Sequence, residues 1–161
     1  TNYKPLKSGL PCRFIQKIGL KYAKEGDVVD AKRMLNKWKV LIPKAPIAGQ
    51  TDLSKPIRFY HDKNTIISKP GECCTESWIV AGNFDSKYEA ESFKSYLFTK
   101  IVRFLILQTV ISQDVNRKNF AFVPHLDNYD QVFSDKILKK KWKISEEEWN
   151  YIDSKILETG K

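Results

Sequence analysis

Apolar positions recur every three or four residues through Ala90, Phe93, Leu97, Ile101, Phe104 and Leu105, ending near Gln108. The run opens at Ser86-Lys87-Tyr88-Glu89. That spacing is a capping box, in which a Ser oxygen and a Glu carboxylate each satisfy a free N–H at a helix start. Together they predict one long helix over residues 86–111. Its second half, "IVRFLILQTVI", is apolar nearly all round and is expected to be buried at the centre of the fold. Arg103 interrupts that half, as a buried ion-pairing or packing group or as a ligand contact. A second capping box, Ser145 to Glu148, predicts a C-terminal helix to about residue 157, with Trp149, Ile152, Ile156 and Leu157 inward. The segment "DVVDAKRMLNKWK" (27–39) sets Val28, Ala31, Met34, Leu35 and Trp38 on one face and predicts a shorter helix.

Other segments carry strand patterns. Residues 12–23 read as a strand and its connection, "KVLIPKA" (39–45) as a short buried strand closed by Pro43, and "ESWIVAGNF" (76–84) as another strand. Residues 57–60 and 65–69 flank a polar turn and predict a hairpin, and Pro70-Gly71 predicts a tight turn into the next strand. The expected class is α+β: a small mixed or antiparallel sheet packed on the long central helix, with a C-terminal helix. No repeat and no linker divides residues 1–161, so one domain is expected.

Charge changes this picture. The chain has 161 residues and a net charge of +9. Residues 1–70 hold 15 Lys/Arg against 5 Asp/Glu, whereas residues 71–161 hold 13 against 14. An excess confined to one part of the chain points to a polyanionic partner. Apolar residues at 42% argue for a folded protein. No apolar run reaches the roughly 20 residues that span a bilayer, so no membrane partner is expected. The first residue is Thr1, with no signal segment after it, so the expectation is a chain that is either processed or cut from something longer, with a cytoplasmic location.

Catalytic motifs are missing from the sequence. Cys12, Cys73 and Cys74 lack the spacing of a zinc site, and His61 and His125 stand far apart. Adjacent Cys73 and Cys74 do not suit a disulfide, whose Cα atoms sit about 5.5 Å apart, so reduced structural thiols are expected. No phosphate-cradling glycine loop, nucleophile elbow or zincin motif occurs. "DSK" at 85–87 and 153–155 has the acid-x-Lys spacing of some nuclease sites, but neither copy lies on a predicted strand beside a partnering carboxylate. The segment "SQDVNRKNFAFVP" (112–124) places basic and amide groups between a buried helix and an anchored strand, which suits a loop that reads a ligand and equally a solvated connection.

Residues 41–156 carry an ordered set of stretches: "LIPKA", "KPGECCTESWIVAGNFDSKYEAESFKSYLFTKIVRFLILQTVISQDVNRKNFAFVP" and "SDKILKKKWKISEEEWNYIDSKI". This pattern resembles the C-terminal target recognition domain of bacterial adenine-N6 DNA methyltransferases of restriction-modification systems, in which methyltransferase and endonuclease are often one polypeptide. "TNYKPL" resembles the junction with the family's catalytic domain. The resemblance implies partners: double-stranded DNA, and a methyltransferase catalytic domain of the same chain. That domain carries the S-adenosylmethionine pocket and an Asn-Pro-Pro-Tyr motif. This sequence contains no Pro-Pro, so no cofactor and no methyl transfer are assigned to these residues.

Arg, Asn and Gln read base edges, while Lys and Arg neutralise phosphates. The base-reading candidates are therefore Gln113, Arg117, Lys118 and Asn119, followed by Gln50, Thr51 and Asp52 in the loop of residues 46–56. The phosphate candidates are Lys44, Lys55, Arg58, Lys63 and Lys69. The lysines of "KKKWK" (139–143) are expected on a solvated bend. An RNA-binding module would need exposed aromatics on a sheet. A protein-interaction domain would carry its charge incidentally.

Overall fold

The computed structural model describes residues 4–15, 17–45, 52, 54–59, 64–111 and 114–159. The chain is α+β. Among the described residues there are two three-stranded sheets and four α-helices.

The first sheet has the order β2-β1-β5. β1 (Leu10–Arg13) pairs antiparallel with β2 (Leu20–Ala23) and parallel with β5 (Cys73–Cys74). The second sheet joins β4 (Ile66–Ser68), β3 (Trp38–Pro43) and β6 (Trp78–Phe84), all antiparallel, with β3 central. The predicted turn at Pro70-Gly71 links β4 to β5, and Gly71 takes φ +79°, which glycine adopts without penalty. The indole N–H of Trp78 donates to the Phe14 carbonyl at 2.7 Å and ties β6 to the first sheet. The β3–β6 register shifts between Val40 and Leu41. Beside this bulge, a Cβ on Gly82 would lie 2.8 Å from the Phe84 ring and 3.0 Å from Phe93, so the strand needs glycine there.

Helix α1 (Lys87–Leu97) starts at the predicted capping box: Glu89 N–H donates to Ser86 Oγ, and Ser86 N–H donates to the Glu89 carboxylate. The single long helix, however, is two. α1 ends at Phe98, and α2 spans Lys100–Leu107. Thr99 lies between them with extended backbone, φ −61° and ψ 146°. Its hydroxyl donates to Tyr96 O at 2.8 Å and accepts from Val102 N–H at 3.3 Å. The Asp135 carboxylate accepts from the N–H groups of Lys100 and Ile101 at 3.1 and 3.0 Å. The new helix start is thus capped from two directions. The apolar period hid the break, because Leu97 and Ile101 both face the core.

Two further expectations are corrected. Residues 28–37 form turns, not a helix. The Asp30 carboxylate accepts from Met34 and Leu35 N–H at 2.7 and 2.9 Å, which closes a side-chain-capped turn in competition with helix. Arg33 takes φ +53°, and Val29 is 90% exposed. Nor does the segment around Ile57 form a hairpin with β4. Ile57 bridges Ile156 in parallel, its N–H donating to Lys155 O and its carbonyl accepting from Leu157 N–H, both at 2.9 Å. Tyr60 and the turn at 61–63 lie outside the described residues.

Helix α3 (Asp135–Trp142) was missed. It is capped by Ser134 and ends at Lys143 in the left-handed conformation, so most of the lysine cluster sits on a helix instead of a bend. Helix α4 (Glu146–Lys155) starts at its predicted capping box. Ile152 and Ile156 are buried as expected, whereas Leu157 is 40% exposed.

One apolar cluster runs from Val40 and Ile42 of β3 through Phe93, Tyr96 and Leu97 of α1 to Ile101, Val102 and Ile106 of α2, then Leu138 and Ile152. Arg103 lies inside it at 1% exposure. Its Nε donates to Phe98 O at 3.1 Å, and one terminal nitrogen donates to Phe59 O at 3.3 Å and Leu157 O at 2.8 Å. Arg103→Ala should cost roughly 3–5 kcal/mol, because it strands three carbonyls and empties the space of a fully buried side chain. Urea denaturation checks this. A loss below about 1 kcal/mol would show that the hydrogen-bonded guanidinium is not what holds these segments together.

Candidate nucleic-acid interface

The loop after α2 is held by an amide lock. Asn119 is 5% exposed. Its side-chain NH2 donates to Thr109 O at 2.7 Å, and its side-chain oxygen accepts from Asn116 N–H at 2.8 Å. The Asn116 side chain accepts from Lys118 N–H at 2.8 Å, and Thr109 Oγ1 donates to Asn119 O at 2.9 Å. These bonds close a short 3-10 turn over Arg117–Phe120, where an anchored strand was expected. Val115 is fully buried, and its N–H donates to Lys44 O at 2.7 Å, which fixes the loop to the end of β3.

Arg117 and Lys118 are therefore exposed side chains on a rigid turn. Asn119 is engaged within the turn and positions its neighbours. The structure brings Lys44 to the same loop, where its Nζ lies 3.6 Å from the Asp114 carboxylate. Gln113, Gln50, Thr51 and Lys63 lie outside the described residues, as does His61.

The remaining candidates sit elsewhere. Asp52 is exposed and accepts from Ser54 N–H and Oγ at 3.0 and 2.5 Å, with Lys55 Nζ at 3.4 Å. The Ser54 hydrogen bonds hold its carboxyl below the usual range. Arg58 is exposed between Ile57 and Phe59, beside the end of α4. Lys69 is exposed on the β4–β5 turn. Some basic side chains of residues 1–70 serve the fold instead. Lys39 is buried and donates to the carbonyls of Leu35, Lys37 and Lys69 at 3.0, 2.6 and 3.1 Å; burial lowers its pKa. Lys37 pairs with Asp85.

Sequence reasoning missed a cleft. Its volume is about 510 Å³, and it lies between residues 79–83 of β6 and residues 117–129. Lys32, Arg117 and His125 line it together with Phe93, Phe120 and Tyr129. No local signal marks Lys32 or His125 in the sequence, because only tertiary contacts bring 32, 117 and 125 to one rim.

The cysteines are free thiols. Cys12 and Cys73 are register partners across β1 and β5. With Cys74 they line a second cleft of about 410 Å³. Burial, reinforced by the hydrogen bond to Cys73, pushes the Cys12 pKa up to about 12, and burial pushes Cys74 to about 11. Both stay protonated at neutral pH, which removes their nucleophilicity. No group of three or more His, Cys, Asp or Glu among the described residues is arranged to hold a metal. Likewise, no helix among them is long and apolar enough to cross a membrane.

No protein family, curated protein or solved structure matches the chain.

The Cys12 thiol sets a pH dependence. Because its pKa is raised from 9.0 to about 12 on folding, the folded state holds that proton more tightly than the unfolded chain. The resulting stability is fully present below pH 9.0 and is lost as pH rises toward about 12. Cys12→Ala should therefore lose less stability than the parent across that window in urea titrations at successive pH values. Parallel curves would contradict the protonated, buried thiol.

Proposed function

We propose that this chain recognises duplex DNA, as the sequence-reading part of an adenine-N6 DNA methyltransferase of a restriction-modification system. The observation that carries this reading is the locked turn. Arg117 and Lys118 project from a 3-10 turn whose backbone is fixed by Asn116, Asn119 and Thr109. A fixed backbone sets where these side chains start, so a base contact has to order their rotamers but not the loop that carries them. Lys44 stands beside the loop and suits a phosphate. Its exposed pairing with Asp114 is weak and yields to a stronger anion.

The charge distribution supports the same reading. Residues 1–70 carry the whole positive excess, and Lys55, Arg58 and Lys69 are exposed. The resemblance over residues 41–156 supplies the biological setting. In that setting S-adenosylmethionine binds the catalytic domain of the same polypeptide, and the two domains meet across DNA in the cytoplasm. Base reading then falls to this chain, and the methyl-transfer chemistry does not.

Two substitutions test the division of labour between base and phosphate contacts. Arg117→Ala should cost roughly 1–3 kcal/mol on the preferred site and relax the preference at one position. Selection from random duplexes followed by binding titrations reads this; equal weakening on every sequence would reduce Arg117 to a phosphate contact. Lys55→Ala should weaken all duplexes alike and lower the slope of log K against log salt by about one. An unchanged slope would place Lys55 outside the DNA footprint.

A further inference from the structure

The cleft beside β6 runs along an open strand edge. Five successive residues of β6, Ile79 to Asn83, line it. Successive side chains of a strand point to opposite faces, so a wall built from an unbroken run is the edge of the strand and not one of its faces. β6 is the last strand of its sheet and pairs only with β3 among the described residues. Its outer N–H and C=O groups are therefore available to pair with another chain. Edges that proteins keep closed carry Lys, Pro or an inward charge. Residues 79–83 are Ile, Val, Ala, Gly and Asn and carry none of these. Their one irregularity is the bulge at Ala81, which bends the strand without covering it.

The rest of the wall is aromatic, from Phe93, Phe120 and Tyr129. The rim carries Lys32 and Arg117, both exposed, and the described residues that line the cleft include no Asp or Glu. We propose that this cleft docks an extended, acidic peptide segment of another protein, which adds to β6 as a further strand. Main-chain hydrogen bonds to β6 supply affinity, and alternate side chains of the segment supply selectivity. Its apolar side chains pack on the aromatic wall, and its Asp or Glu side chains meet Lys32 and Arg117. A strand rises about 3.3 Å per residue, so the edge at 79–83 matches about five residues of peptide. A small planar ligand pairs with one or two of these residues and leaves the others unpaired, so the unbroken run favours a peptide. The net charge of +9 disfavours a second copy of this chain as the occupant of a basic rim. The proposal does not rest on the duplex-DNA reading, although a bound segment occupies Arg117.

The test titrates the full chain with three labelled peptides of six residues and blocked ends. One alternates Val and Glu, and one alternates Val and Lys. The third is the Val-Glu peptide with its central amides N-methylated, which keeps the charge and removes the donors. The Val-Glu peptide should bind roughly tenfold more tightly than either of the others in fluorescence anisotropy. Hydrogen exchange at alternate amides of residues 79–83 should slow when it is bound. Lys32→Glu, at an exposed position, should weaken the Val-Glu peptide severalfold and strengthen the Val-Lys peptide. Equal affinity for the N-methylated peptide would reduce the contact to charge attraction and overturn the proposal. Failure of the Val-Glu peptide to bind, or binding without slowed exchange at 79–83, would overturn it as well. Slowed exchange at these amides that rises with protein concentration and needs no peptide would give the edge to a second copy instead.

Discussion

The guanidinium of Arg103 is the point at which the fold is tied together. It donates to carbonyls of three separate segments: Phe98 at the end of α1, Phe59 in the connection before β4, and Leu157 after α4. Burial lowers its pKa to about 10, with Asp135 and Glu158 opposing the shift, so it remains charged at neutral pH. A charge held inside a core is tolerated only where its hydrogen bonds are complete. That demand fixes the three segments in one arrangement. The kink at Thr99 follows from the same geometry, because the Phe98 carbonyl turns to Arg103 at the point where α1 stops. Asp135 then caps α2 and brings α3 into place.

The proposed DNA surface inherits its rigidity from this centre. α2 leads into Thr109, and Thr109 is the anchor for Asn119. The backbone position from which Arg117 and Lys118 project is therefore set by a chain of contacts that begins in the core. β3 contributes from the other side, through the Lys44 carbonyl that holds Val115. Buried anchors of this kind distinguish the loop proposed to read DNA from a plain solvated connection, even though both expose basic side chains. The cysteine-rich stretch that follows Pro70-Gly71 plays a purely architectural part in this account: Cys73 and Cys74 form the short strand that joins the first sheet to β6.

Local signals were legible, and distant ones were not. The capping boxes at Ser86 and Ser145 could be read directly, because donor and acceptor stand three residues apart. The strands β3 and β6 were visible as apolar runs ended by Pro43 and by the polar residues after Phe84. The break at Thr99 stayed hidden: periodicity continued through it, and the carboxylate that helps cap α2 lies 35 residues away. Asp30 looked like one more polar position on a helix, yet its carboxylate closes a turn. At the candidate site, residue types in the loop pointed to Arg117 and Lys118. The inward role of Asn119 depends on where Thr109 comes to rest, and sequence spacing does not encode that. Lys32 and His125 reach the cleft only through the tertiary fold.

The central claim is that this chain binds duplex DNA through exposed cations steered by a rigid turn. The most direct measurement is equilibrium binding to random-sequence duplex DNA, single-stranded DNA and duplex RNA over a series of salt concentrations. The account predicts the tightest binding to duplex DNA, with log K falling linearly against log salt by about 0.9 for each phosphate contacted. Preference for RNA or single strands, or duplex binding that does not respond to salt, would contradict it.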